Sequence, residues 1–300
     1  MERLEQLLRE RCPELELRRD EPMSRHTSFR IGGPVSLMAL PRTVPEAKAA
    51  VKTARELGVE PFFLGNGSNL LVADEGYPGF AVKLSGDFEQ IRTADGGLEA
   101  GSAVLLSRLA NAALEQGFTG LEFAGGIPGS VGGAVTMNAG AYGGEMVQVL
   151  ESVDFLDEAG EVCTLPVSAC GLGYRRSIFS GRRFLILKAR YSLEPGDPAA
   201  VRARMDELAA RRREKQPLEY PSAGSMFKRP EGHFAAALID RCGLKGLTVG
   251  GAQVSEKHAG FVVNRGDATC ADVLELVRRV REQVLRQTGV ELELEVKVLK

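Results

Sequence analysis

Three short segments carry residue types that could do chemistry. G-Y-R-R-S-I-F at 173–179 holds Arg175 and Arg176, and a buried guanidinium offers a planar fork of donors suited to a carboxylate or phosphate. Left in solvent, the same pair would be an ordinary charged surface. P-S-A-G-S-M-F-K at 221–228 places Ser222, Ser225 and Lys228 in a loop between helical patterns, where a plain polar turn is an equal explanation. The three histidines, His26, His233 and His258, are scattered, which leaves a Ser-His-Asp triad without support. A serine here would donate a proton only to a strongly basic partner. Near the C-terminus Glu291, Glu293 and Glu295 alternate with apolar residues and read as the solvated face of a strand; spacing singles out none of them.

Two glycine-rich segments could bring backbone close to an anion. Residues 123–144, F-A-G-G-I-P-G-S-V-G-G-A-V-T-M-N-A-G-A-Y-G-G, contain eight glycines and no charge. Glycine admits positive φ and lacks the Cβ that would hold a ligand away, so its backbone amides can cradle an anion. Tight turns inside a β-domain are the competing reading. Pro128, Ser130, Thr136 and Asn138 interrupt the run, which therefore falls short of the roughly 18 apolar residues of a membrane span. G-N-G-S-N-L at 65–70 opens like the dinucleotide fingerprint, but Leu70 stands where its third glycine belongs, and a strand pattern follows where a helix should. The expectation is two separate loops wrapping a pyrophosphate, not a Rossmann site.

The elements that must position these segments have α/β texture. A helix is predicted over 43–58, with Thr43 and Glu46 at capping-box spacing and Gly58 as its stop, followed by the strand V-E-P-F-F-L. A second helix fits 102–116, where Leu105, Leu109, Ala112 and Ala113 share a face. From 149 to 193 short alternating segments read as strands, and residues 194–221, with a charged helix around 199–215, mark a domain boundary. Thr269 and Asp272 cap a final helix that ends at Gly289, and 290–299 is predicted as one alternating strand.

Composition narrows the function classes. Thirty-eight basic residues against 40 acidic ones give a net charge of −2, with no electrostatic case for nucleic acid or an anionic membrane. The five cysteines include no C-x-x-C pair, which argues against a disulfide framework or a zinc site, and no metal is expected. The first residues lack the apolar core of a secretory signal. A cytoplasmic protein that handles small molecules is the expectation.

In chain order, R-H-T-S-F-R-I-G-G, G-N-G-S-N-L-L-V, G-G-I-P-G-S-V-G-G-A-V-T-M-N-A-G-A-Y-G, G-Y-R-R-S-I-F, S-A-G-S-M-F-K-R-P, K-H-A-G-F-V-V-N and L-E-L-E-V-K resemble the UDP-N-acetylenolpyruvoylglucosamine reductase family across nearly the whole chain. Those flavin enzymes complete UDP-N-acetylmuramate for peptidoglycan, and so serve cell-wall biogenesis, cell shape and division. The resemblance implies an α+β protein with the FAD-binding fold of the vanillyl-alcohol oxidase (PCMH) type. It implies FAD-binding subdomains at 1–90 and 91–200 and a smaller α/β substrate-binding domain at 201–300, of the shorter class that lacks an inserted tyrosine-bearing loop. A monomer is the expected assembly.

What the resemblance implies about residues is specific. FAD contacts fall on Gly65, Asn66, Gly67, Ser68 and Asn69, on Gly126, Ile127, Pro128, Gly129 and Ser130, on Gly132, Gly133 and Ala134, and on Asn138 and Gly140. Arg175, Ser225 and Glu295 match the catalytic positions, with Glu293 the alternative carboxylate, while Tyr174, Lys228 and His258 match positions that touch substrate. NADPH would be the hydride-donating co-substrate and a UDP-sugar enolpyruvyl ether the acceptor. An FAD oxidase of the same fold and a non-catalytic UDP-sugar-binding protein are the competing readings. Asn66, Met226 and Leu294 depart from residues common at their positions, and none removes a reacting group.

Overall fold

The computed structural model describes residues 1–181 and 183–300. The chain divides into two compact units, one of Met1–Arg19, Leu37–Asn66 and Gly79–Arg211, the other of Asp20–Ser36, Gly67–Pro78 and Arg212–Lys300. Two upstream segments thus join the C-terminal residues in the second unit.

In the first unit, helices α1 (Glu2–Arg11) and α2 (Val44–Glu56) cover a core of Leu4, Leu8, Ala47, Val51, Phe80 and Val82. Thr43 Oγ1 accepts from the Glu46 N–H, and the Glu46 carboxylate accepts from the Arg42 N–H, so orphan amides at the start of α2 are satisfied locally. Beyond it lies a five-stranded antiparallel sheet in the order Val162–Pro166, Leu150–Leu156, Leu185–Ser192, Gly97–Gly101, Ile91–Ala94. Helix α3 (Leu106–Glu115) turns Leu106, Leu109, Ala110 and Ala113 into the core beside this sheet. Of the predicted stripe Leu109 and Ala113 are buried and Ala112 partly so, whereas Leu105 precedes the helix and is exposed, because the helix starts only at Leu106 and its face is rotated toward Leu106 and Ala110.

The uncharged run was expected to be loop throughout, yet it contains a seven-residue helix, α4 (Val131–Met137). Local propensity does not account for it, since two of its residues are glycine. Backbone bonds to a neighbouring segment do: Val131 N–H donates to Val104 O at 2.8 Å and Gly132 N–H to Ser102 O at 2.9 Å. Helix α5 (Pro198–Lys215) is the predicted charged helix before the second unit's main segment.

The second unit holds an antiparallel sheet in the order Ser222–Ser225, Phe261–Asn264, Ala252–Val254, Thr248–Val249, with helices α6 (Ala235–Arg241) and α7 (Cys270–Thr288) sharing its core. At the start of α7 Thr269 Oγ1 accepts from Asp272 N–H at 3.0 Å and Asp272 Oδ2 accepts from Thr269 N–H at 3.0 Å. Asp74 adds a carboxylate that accepts from the Cys270 and Ala271 amides. Gly289 ends the helix at φ 72°.

The single strand predicted over 290–299 is not formed. Leu294 makes one antiparallel bridge to Phe227, and only Lys297–Leu299 pairs as a strand, parallel to Leu70–Val72. The segment changes partners at 295–296, and its glutamates differ in surroundings: Glu291 pairs with Arg281 of α7 and Glu293 with Lys228. Thr269→Ala removes half of the α7 cap and should cost about 1 kcal/mol, read as a lowered urea midpoint; an unchanged midpoint would mean that Asp74 alone caps the helix.

Candidate active site

The two glycine-rich loops meet in the first unit. Asn66 Nδ2 donates to Pro128 O at 2.6 Å, which ties the end of one loop to the middle of the other. A Cβ built on Gly65 would lie 2.8 Å from Ser130 Oγ and 3.9 Å from the Gly133 amide nitrogen. The Ser130 hydroxyl is itself 3% exposed and has no hydrogen-bond partner among the described residues. A Cβ on Gly133 would find only Ser130 Oγ, at 3.8 Å. The result is a patch of bare backbone around one buried, unpartnered hydroxyl, and buried polar groups in native proteins are normally paired. That is the signature of a ligand surface.

Around this patch the remaining glycine-loop residues serve the fold. Gly129 O accepts from Leu106 N–H, Ile127 N–H donates to Ala124 O, and Ala134 N–H donates to Ser130 O. A Cβ on Gly132 would meet Ser102, and one on Gly140 would lie 2.7 Å from Gly144 O, so these glycines permit chain against chain. Gly126 is exposed.

Helix α4 carries this geometry to the arginine motif. Its C-cap, Asn138, is in the left-handed region at φ 43°, and its amide donates to Gly173 O and Glu145 Oε2 while its Oδ1 accepts from Val147 N–H. Ser177 and Ser180 both donate to Thr136 O, at 2.8 and 2.7 Å. Between these anchors Gly173 and Arg176 exchange two backbone hydrogen bonds, closing a tight turn with Tyr174 and Arg175 at its tip. Arg175 sits at φ 54°, a left-handed conformation that costs a side-chain-bearing residue about 1 kcal/mol. Its guanidinium lies 5.7 Å from the ring centroid of the exposed Tyr174.

In the second unit the serine motif and the C-terminal carboxylates are neighbours. Ser225 ends its strand opposite Phe261 and is half-buried. The next residue, Met226, accepts at its carbonyl from Glu295 N–H at 2.9 Å, and Lys228 N–H donates to Glu293 O at 2.8 Å. The Glu293 side chain is 73% exposed and pairs with Lys228 Nζ, whereas Glu295 is half-buried. Asn69 Nδ2 donates to Glu295 O at 3.2 Å, and Gly67 is buried at φ 63° against His26. Ser68, between them, is half-buried.

His258 packs edge-on against Phe261 at 4.9 Å, and its Nδ1 accepts from Gly260 N–H at 3.1 Å. Burial lowers its pKa below the usual 6.5, so it is a neutral imidazole with the proton on Nε2. Burial raises the Cys170 thiol, and burial with nearby Asp74 pushes Cys270 up to about 11, which keeps both as protonated thiols. Among the described residues no group of three or more His, Cys, Asp or Glu is placed to hold a metal.

Comparison with known proteins gives this arrangement a family. Residues 216–299 match the model described as UDP-N-acetylenolpyruvoylglucosamine reductase, C-terminal domain, and residues 35–166 match an FAD binding domain. A UDP-N-acetylenolpyruvoylglucosamine reductase of Alkaliphilus oremlandii is 45% identical over 280 residues, covering 93% of this chain and 92% of its own. One from Clostridium novyi is 46% identical over 284 residues, covering 95% and 92%. The chain belongs to the UDP-N-acetylenolpyruvoylglucosamine reductase family. The crystal structure of the enzyme from Thermus caldophilus superposes with a TM-score of 0.82 at 37% identity, over 96% of this chain and 99% of that one.

With the family known, the mixed α/β architecture is the FAD-binding fold expected from the sequence. The bare patch at Gly65, Ser130 and Gly133 fits that cofactor: amides and a hydroxyl suit a pyrophosphate, and side chains are absent where it must approach. Pattern reading missed the internal uses of Asn66, Asn69 and Asn138, whose amides hold backbone. Asparagine in left-handed or loop positions was the available signal.

Two outcomes follow. Gly65→Val should cut FAD retention about tenfold, the equivalent of one lost hydrogen bond, measured by flavin absorbance after gel filtration; full retention would contradict the close approach. A native His258 pKa below 6.5 means the unfolded chain takes up the proton first as pH falls. Stability of the parent relative to His258→Gln should therefore be constant above pH 6.5 and decline below it. A gap that widens in the parent's favour on the acid side would overturn the neutral assignment.

Proposed function

We infer that this chain catalyses the NADPH-dependent reduction of UDP-N-acetyl-3-O-(1-carboxyvinyl)glucosamine to UDP-N-acetylmuramate, a step of peptidoglycan precursor synthesis, with FAD as its cofactor. The reading is carried by similarity at 45–46% identity to curated reductases over more than nine-tenths of each chain. The reductase C-terminal domain at 216–299 disfavours a same-fold oxidase, and the FAD-binding match at 35–166 disfavours a flavin-free UDP-sugar binder.

Bound against Gly65, Ser130 and Gly133, FAD would supply the redox chemistry that carries hydride from NADPH to the terminal methylene carbon of the enolpyruvyl ether. Negative charge then develops on the carbon bearing the carboxylate. Arg175 opposes that charge, and the turn that holds its backbone before substrate arrives supports this role, since preorganised charge costs no rearrangement during the reaction. Ser225 gives its hydroxyl proton to that same carbon; a carbanionic centre is basic enough to take it, and no histidine base is required.

Glu295, half-buried and hydrogen-bonded through its backbone to the residue after Ser225, is the carboxylate that assists protonation. Glu293 is the weaker choice because it is exposed and paired with Lys228. Tyr174 and Lys228 contact the substrate, and the neutral His258 can offer its Nε2–H to an acceptor on it.

No described helix is long and apolar enough to cross a membrane. The need for NADPH and five free thiols support a cytoplasmic location, and we take the working form to be a monomer. The purified protein should be yellow, bleach with NADPH and regain colour when the enolpyruvyl ether is added. Ser225→Ala should bleach normally and then recover at least about 100-fold more slowly, the usual scale of a lost proton donor. Recovery at the parent rate would remove serine from the mechanism, and a colourless protein that cannot be loaded with FAD would sink the whole reading.

A further inference from the structure

We propose that the side-chain amide of Asn69 is a positioning group for Glu295, which makes the first glycine-rich loop part of the protonation machinery as well as of the cofactor site. The proposal rests on the role given above to Glu295.

The argument begins with backbone accounting. Residues 293–299 pair first with one partner and then with another: Leu294 bridges antiparallel to Phe227, and Lys297 begins the parallel ladder with Leu70. Glu295 and Val296 lie at the changeover: the antiparallel bridge still takes the Glu295 N–H, but its carbonyl is met by a side chain. The Glu295 N–H is taken by Met226 O at 2.9 Å, on the serine side. Its carbonyl is taken by Asn69 Nδ2 at 3.2 Å, and Asn69 O accepts from Lys297 N–H at 3.1 Å. One residue therefore clamps the chain on both sides of Val296.

A half-buried carbonyl needs a partner. Without the amide the Glu295 carbonyl loses this partner, the bond after the Glu295 Cα is held less tightly, and the carboxylate's approach is less well fixed. Misplacing a reacting group by about an ångström costs up to about 100-fold in rate, far more than one hydrogen bond contributes to stability. The effect should accordingly appear in the half-reaction that reduces the enolpyruvyl ether, read on FAD-loaded protein.

The test uses full-length, FAD-loaded Asn69→Ala, Asn69→Asp, Glu295→Gln and the Asn69→Ala/Glu295→Gln double variant. Asn69→Asp keeps the size but lacks the donor, and so serves if the alanine variant fails to fold. Flavin content, bleaching by NADPH, anaerobic colour recovery on adding the enolpyruvyl ether, and amide hydrogen exchange over 293–297 are measured for each. In their FAD-loaded fraction both Asn69 variants should bleach within about twofold of the parent rate, recover colour about tenfold more slowly and exchange faster at 295–297. The double variant should be no slower than the slower single one, because both changes disable one group.

Loss of flavin from the Asn69 variants with normal recovery in the loaded fraction would overturn the proposal and make the amide a cofactor contact. Multiplying effects in the double variant would overturn it too. If Glu295→Gln recovers at the parent rate, the role of Glu295 itself has failed; if Glu295→Gln is slow and the Asn69 variants are not, only the role of Asn69 has.

Discussion

Within the first unit the site depends on the seam of backbone bonds between residues 102–106 and 129–132, and Gly65 lies beside that seam, where an added Cβ would come within 2.8 Å of the Ser130 hydroxyl. Much else in that unit follows from it. Residues 129–132 are held against 102–106 by backbone bonds, α4 starts from that seam, and the end of α4 anchors the turn bearing Arg175. The short helix α4 thus joins the bare-backbone patch at one end to the turn bearing Arg175 at the other. Its two glycines forgo helix propensity in exchange for close backbone packing.

The second unit solves a different problem with similar means. Ser225 and Glu295 are far apart in sequence, yet their backbones are joined through Met226, and the neighbouring Lys228–Glu293 bonds set the register. This register distinguishes two glutamates that are chemically identical. One faces solvent and neutralises a lysine; the other is half-buried beside the serine strand. Arg175 likewise occupies a left-handed conformation only because the bonds around Thr136 and Asn138 outweigh its cost.

Much of this was legible beforehand. The α2 and α7 boundaries rest on short-range capping by Thr43–Glu46 and Thr269–Asp272, which depends on residues three apart and survives without knowledge of the fold. The apolar stripe of α7, Val273, Leu276, Val277, Val280 and Val284, is likewise periodic and local, whereas the face of α3 was displaced by one residue because its start is fixed by the backbone bond from Leu106 to Gly129. Helix α4 was illegible because its stabilising bonds come from residues 102–104, and the alternating 290–299 segment misled because alternation says nothing about where a strand changes partners. Asn66, Asn69 and Asn138 stood within recognisable motifs, but the carbonyls that their amides hold belong to Pro128, Glu295 and Gly173.

By itself the sequence determined the chemistry on offer: uncharged glycine loops, an arginine turn, a serine without a histidine base, and three equivalent glutamates, in an order that marks a family. The tertiary structure decided which of these could work together within each unit. It brought Gly65 against Ser130, consumed Glu293 in an exposed ion pair, and set Glu295 beside the serine strand. The physical reason is that composition, caps and periodicity act over a few residues, whereas a side chain's burial and partners depend on backbone pairings whose members lie tens to hundreds of residues apart.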